Sequence, residues 1–273
     1  MELFVSDLDG TLLNENAEIS EYTANSLNAL IKNGLNFTIA TARTIATVRK
    51  IIGGIELSIP MILMNGVLIY DPMHHKYDLT NKLSSDLKNT VISKMRELEL
   101  SAFMYTIADN EMLTYYEKLS NKAMESFYQQ RKFKYYKVFE NTDDFMGISD
   151  DVIYFTFIDS KEKLAPMCEA LKEINGLGLT YYNDIYSDEM WYLEVFSSNA
   201  SKENGIKYLR SKYGYDKITV FGDNTNDLPM FRASDVRIAV KNANQAVLDK
   251  CDKVIAANTE NGVVKYLEEI FNG

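Results

Sequence analysis

Short apolar runs alternate with amphipathic stretches through the first eighty residues. Leu3 to Ser6 reads as a buried strand, and after Ser20, a helix N-cap, the residues Ala24, Leu27 and Ile31 share one face of a helix that Gly34 ends. Phe37 to Ala40 predicts a second strand, Val48 to Ile52 the end of a second helix, and Pro60 to Met64 a third strand, which together make the βαβ rhythm of a parallel sheet. Asn65-Gly66 between two apolar runs predicts a hairpin with a type I′ turn. From about Leu83 the rhythm changes. A helix with Leu87, Val91, Met95 and Leu98 on one face precedes alternating stretches at Ala102 to Ile107 and Met112 to Glu117; a further strand at Val152 to Ile158, the Leu164 helix and strands at Leu179 to Tyr182 and Trp191 to Phe196 follow. Paired strands with packed helices predict an α+β module with an antiparallel sheet. After Ser201 the first rhythm returns: a helix to Tyr213, the strand Ile218 to Phe221, the strand Arg237 to Val240, and a final helix from Glu260. The fold class is therefore α/β, a parallel-sheet core at residues 1–82 and 191–273 with an inserted α+β module at 83–190.

Composition narrows the partners. A chain of 273 residues with 46% hydrophobic and 25% charged residues has the makeup of a soluble globular protein of about two domains. Its net charge of −10 disfavours nucleic acid and anionic membrane, which need clustered Lys and Arg, so any phosphate must be met locally. The start Met1-Glu2-Leu3 lacks a basic leader region and no apolar stretch reaches spanning length, so a cytoplasmic location is expected. Two distant cysteines, Cys168 and Cys251, build no disulfide framework, and the adjacent His74 and His75 find no third histidine for a zinc site.

The candidate chemistry starts where the first strand stops. In Asp7-Leu8-Asp9-Gly10-Thr11 two carboxylates stand one residue apart on a strand end, where open α/β sheets place their ligands, and residues two apart in an extended segment share a face. Converging carboxylates repel unless a cation joins them, and an all-oxygen set favours a hard ion such as Mg²⁺. A calcium loop is excluded at both acidic runs, because Leu12 and Leu228 stand where such a loop requires glycine. Three more polar features follow core strands or open core helices: Thr41-Ala42-Arg43, Lys202, and Gly222-Asp223-Asn224-Thr225-Asn226-Asp227. Singly, these read as a helix cap, a solvated helix residue and a capped loop. Strand carboxyl ends converge in such a sheet, so all of them can meet Asp7.

These motifs, with Asn65-Gly66, Ser201-Lys202, Asn242-Ala243 and Glu260-Asn261-Gly262-Val263, resemble in order and spacing the haloacid dehalogenase superfamily, and within it the Cof-type class IIB phosphatases. The chain departs from that pattern at Ala42 and Glu203, where glycine is usual, and neither change removes a reacting group. The resemblance implies a Rossmann-like core with an α+β cap, Mg²⁺ as cofactor, and a small phosphorylated metabolite, such as a sugar phosphate, as substrate. It implies further that Asp7 is the nucleophile that forms an aspartyl-phosphate and Asp9 the general acid and base. Asp7, the backbone carbonyl of Asp9, and Asp223 would hold the metal; Thr41, Lys202 and Asn226 would hold the phosphoryl oxygens; and Asp227 would orient Lys202 or a metal-bound water. Arg43, Asn65 and Gly66 are supporting residues that serve either substrate or fold. Tyr128, Arg131, Lys134 and Tyr182 are the first candidates for substrate choice in the cap. A phosphomutase sharing the same intermediate, or a non-catalytic binding module for phosphorylated metabolites, is the alternative.

Overall fold

The computed structural model describes residues 1–184 and 187–272. Two compact units divide them: Met1–Leu79 with Ser201–Gly273, and Thr80–Ala200. The second boundary differs from the expected one. Trp191 to Phe196 lies inside the strand Ser187–Ser197, which pairs with Asp151–Asp159 on one side and Leu177–Asp184 on the other, so a break after Met190 would cut a strand bonded on both flanks.

The core unit is built on five parallel strands in the order Lys253–Ile255, Val236–Val240, Lys217–Gly222, Glu2–Ser6, Phe37–Ile39. Leu3, Val5, Ile39, Val220 and Phe221 are fully buried, as expected of a sheet covered on both faces. The predicted cap is present, the Ser20 hydroxyl accepting from Thr23 N at the start of helix Glu21–Lys32, and the Ser201 hydroxyl likewise accepts from Asn204 N at the start of Lys202–Tyr213. The last helix begins at Gly262 and not Glu260, because the Glu260 carboxylate turns back to accept from Ala257 N. The predicted hairpin joins Met61–Leu63 to Leu68–Asp71; Asn65 (φ 53°) and Gly66 (φ 96°) both take the positive φ of its turn, and Val67 N donates to Met64 O. A methyl group on Gly66 would overlap the Ser201 backbone, which no rotamer change relieves. Near the other flank of the insertion, the Asp78 carboxylate accepts from Lys212 Nζ (2.6 Å) and Tyr213 Oη (3.2 Å).

The inserted unit is a six-stranded sheet in the order Leu177–Asp184, Ser187–Ser197, Asp151–Asp159, Ala102–Ala108, Glu111–Tyr116, Val138–Asn141. Helices Ser85–Glu97 and Lys161–Leu171 cover one face, packing Val91, Met95, Leu164 and Met167 on Met104, Phe155, Phe157, Leu193 and Val195. Each such fully buried side chain contributes about 1.5–3 kcal/mol. The pairing register sends Phe103, Tyr105, Tyr154, Thr156, Tyr192 and Glu194 to the opposite face. There helix Lys122–Tyr135 lies across the apolar end, with Phe127 against Phe103 and Tyr192.

Candidate active site

Asp7 leaves the first strand but stays pinned to its neighbour, since its N–H donates to Phe221 O at 3.0 Å. This puts Asp7 beside the loop that follows Lys217–Gly222. On the other flank Ala40 N donates to Ser6 O, so Thr41 leaves its strand beside the point where Asp7 leaves Glu2–Ser6. Lys202, the first residue of its helix, points inward and is 1% exposed. Its ammonium donates to Asp7 Oδ1 at 2.6 Å and to Asp227 Oδ1 at 2.7 Å. Residues nearly two hundred positions apart are thus joined by one cation, as the convergence of strand ends requires.

The loop after Gly222 is shaped around Asp227. Its Oδ2 accepts from the N–H groups of Asp223 and Asn224, and a side chain on Gly222 would collide with it. Asp223 is held by the Thr11 hydroxyl, which donates to its Oδ1 at 2.7 Å. Gly10 (φ 76°) turns the chain tightly over the Asp223 carboxylate, leaving no room for a Cβ. Carboxylate oxygens of Asp7, Asp223 and Asp227 all lie within 4.8 Å of one another.

Three carboxylates facing one ammonium leave two negative charges unmatched. Burial, opposed by Lys202 and reinforced by Asp227 and Asp223, holds the Asp7 carboxyl well above the usual range. Burial also pushes Asp223 up to about 6, against the Thr11 hydrogen bond and with the help of Asp227. Burial opposes the charge on Lys202, yet the two carboxylates overcome it and hold the amine above its ordinary value. Such an under-neutralised oxygen cluster fits a hard divalent cation, and the hydrogen bonding says which members are open to it. Both oxygens of Asp227 are committed, whereas Asp7 and Asp223 each keep one oxygen without a donor among the described residues.

Asp9 departs from the alternation argument. The chain leaves the extended conformation after Asp7 and turns through Leu8–Leu12, so the Asp9 carboxylate is exposed and bound by Arg43 through Nε (2.7 Å) and Nη2 (2.5 Å). Its charge still reaches Asp223. Thr41 is fully buried; its hydroxyl accepts from Arg43 N and its carbonyl from Asn65 N, which ties both supporting residues to the phosphate-binding candidate. Thr41 does not cap the helix that follows, Ile45–Ile52, whose N-cap is Thr44. The Asn65 side-chain oxygen is buried and meets no donor among the described residues. Asn226 is exposed on the loop. Thr11 and Asn242 were given no role by the sequence reading, although both lie in quoted motifs. Asn242 Nδ2 donates to Gly10 O at 2.7 Å and its Oδ1 accepts from Asn258 N, so it holds the Gly10 turn in place.

The arrangement of strand ends, inserted unit and aspartate cluster agrees with the comparison to known families, in which the model for haloacid dehalogenase-like hydrolases matches residues 4–267. The chain belongs to that family. It is therefore a hydrolase, with an α/β core and an inserted α+β unit. Phosphatase YwpJ of Bacillus subtilis is 25% identical over 99% of this chain and 100% of its own length. A second Bacillus subtilis relative, the 5-amino-6-(5-phospho-D-ribitylamino)uracil phosphatase YwtE, is 25% identical over 100% and 99%. The crystal structure of TM0651 from Thermotoga maritima superposes with a TM-score of 0.81 at 26% identity, covering 98% of this chain and 96% of that one. This haloacid dehalogenase-like hydrolase thus matches its relatives across both units, not over the core alone.

Proposed function

We propose that the protein is a Mg²⁺-dependent phosphatase of small phosphorylated metabolites, sugar phosphates among them, that works in the cytoplasm through an aspartyl-phosphate on Asp7. The observation that carries this reading is the buried Lys202 shared by Asp7 and Asp227 beside Asp223. The phosphatase names of the full-length relatives support it. Asp7, Asp223 and the backbone carbonyl of Asp9 would hold Mg²⁺, which would supply the positive charge that an anionic nucleophile needs to approach an anionic phosphoryl group. A carboxylate oxygen of Asp7 attacks phosphorus while the ester P–O bond breaks, and Asp9, protonated once it is released from Arg43, gives its proton to the departing oxygen. In the second half Asp9 takes a proton from water, which attacks phosphorus and releases inorganic phosphate with Asp7 restored. Lys202, Thr41 and Asn226 hold the phosphoryl oxygens as charge redistributes, and Asp227 keeps Lys202 aimed.

The test is inorganic phosphate release from a panel of phosphomonoesters, including 5-amino-6-(5-phospho-D-ribitylamino)uracil, with Mg²⁺ present. Phosphate release by the wild type, lost in Asp7→Asn with the fold retained, is the expected result. Formation of an isomeric phosphate without release would identify a mutase, and no turnover of any ester, p-nitrophenyl phosphate included, would leave only a binding module.

A further inference from the structure

The face of the inserted sheet away from its two covering helices carries a polar cluster that the proposed chemistry does not use. Helix Lys122–Tyr135 ends at Tyr136, whose left-handed conformation (φ 54°) reverses the chain, and Lys137 N donates back to Arg131 O at 3.2 Å. The reversal brings two cationic side chains together over Tyr105. Lys137 Nζ sits 5.5 Å above the Tyr105 ring, and the Arg131 guanidinium stacks at 5.0 Å on Phe127 and 5.4 Å on Tyr135. Arg131 Nε is buried and finds no acceptor among the described residues. One carboxylate, Glu194, faces the pair, and it is already engaged by the Tyr154 and Tyr182 hydroxyls, the latter donating at 3.2 Å. Tyr105 and Tyr154 are buried beneath, where desolvation keeps their hydroxyls protonated and able to donate.

Two cations against one carboxylate leave one positive charge unmatched, and a buried N–H without an acceptor carries the full cost of leaving water. A protein interior rarely keeps such a donor beside a desolvated amine unless something else completes it. We propose that Arg131, Lys137 and the tyrosine hydroxyls around Glu194 form a recognition site for an anionic group, a carboxylate or phosphate, of a small metabolite. The guanidinium offers a planar fork for two oxygens, Lys137 a second charge and Tyr105 a neutral donor, while the Tyr154 and Tyr182 oxygens, their protons given to Glu194, can accept from hydroxyl groups next to the anion. The protonation of Lys137 accords with this. Burial, and then repulsion by Arg131, lower its amine to about 7, against the pull of Glu194, so the site is poised to take up a proton with an anion.

The ligand has two sources: the non-reacting anionic group of the substrate, which rests on the phosphatase reading, or a separate metabolite, which does not. The first measurement is NMR of the ¹³C-methylated full-length protein in chelator, following the Lys137 signal, assigned with Lys137→Arg, while succinate and then inorganic phosphate are added. The expected result is a saturable shift and a rise in the pH midpoint of that signal, weakened at least tenfold in Arg131→Gln. An unmoved Lys137 signal in wild type with both probes overturns the proposal, and this result needs no catalysis. The second measurement compares 3-phosphoglycerate with glycerol 3-phosphate. A rise in KM of about tenfold for the carboxylated ester alone in Arg131→Gln assigns the site to substrate, whereas succinate binding with KM unchanged assigns it to a free metabolite. Failure of p-nitrophenyl phosphate turnover sinks the phosphatase reading and leaves the first measurement untouched.

Discussion

Lys202 in the core and Lys137 in the inserted unit both leave water, and they end in opposite electrical states. Lys202 is fully buried between two carboxylates and is held protonated above its ordinary pKa, while Lys137, half-buried beside an arginine, is pushed down to about 7. Burial opposes the charge in both cases. The difference lies in the neighbours: a cation enclosed by fixed anions becomes a permanent electrostatic element, and one enclosed by another cation becomes a group waiting for an anion. The first suits a site that must meet the same phosphoryl group in every substrate, and the second a site that responds to what arrives.

Metal removal should separate the two regions most widely. Turnover should vanish in EDTA and return with Mg²⁺, while succinate binding at the Lys137 cluster stays the same; activity that survives chelation would break the reading of Asp7 and Asp223 as ligands. Next is charge removal. Lys202→Met should cost on the order of 2–4 kcal/mol in transition-state stabilisation, a fall in kcat/KM of roughly 30- to 1,000-fold. The same variant strands two buried carboxylates, at about 3–5 kcal/mol of stability by denaturant unfolding. Lys137→Met should not destabilise the protein at pH 7, because a charge that burial disfavours is removed with it. Equal losses from the two lysines would erase the contrast.

Asp9→Asn sharpens the comparison within the core. The loss in kcat should be larger for alkyl phosphates than for p-nitrophenyl phosphate, whose leaving group needs little protonation; equal losses would remove Asp9 from the role of acid. The last contrast is in the pH dependence of stability. Between about 7 and the ~10.4 of an unfolded lysine, the unfolded chain binds a proton that folded Lys137 lacks, so stability should rise with pH across that window. Lys137→Met should flatten the rise. Lys202 has the opposite sign, since its raised pKa contributes stability that is complete below ~10.4 and is lost only at higher pH.

Much of this was legible in the chain because it depends on local signals. Ser20 announces a helix through its cap, Asn65-Gly66 announces a turn that needs positive φ, and apolar runs mark the parallel strands. The site residues were legible because each sits at a strand end or a helix start. What stayed hidden depends on register and on side-chain direction. Whether Asp9 lines up with Asp7 rests on a turn that begins one residue after Asp7, and the Arg43 clamp forms across two segments with no shared period. The boundary after Met190 fell inside a strand because alternation alone places Trp191 to Phe196 among paired strands without showing where that strand starts or which neighbours it bonds. Of the four candidates named for substrate choice, Tyr128 is occupied by packing on Tyr116 and Phe139 and by Lys132, whereas Arg131 and Tyr182 fall in the polar cluster. Lys137 and Glu194 were unmarked, since only the reversal at Tyr136 and the strand register make them neighbours of Arg131.

The two flanks of the insertion are fastened to each other inside the core, Gly66 flush against Ser201 and Asp78 gripped by Lys212 and Tyr213. A chain that leaves and returns through anchored posts can exchange what lies between them without renegotiating the sheet, as a chuck holds one tool bit after another. Such an arrangement lets gene duplication remodel residues 80–200 while the aspartates and Lys202 keep their places. The lack of side-chain volume at Gly66 is then as much a condition of that evolutionary freedom as any residue that touches a ligand.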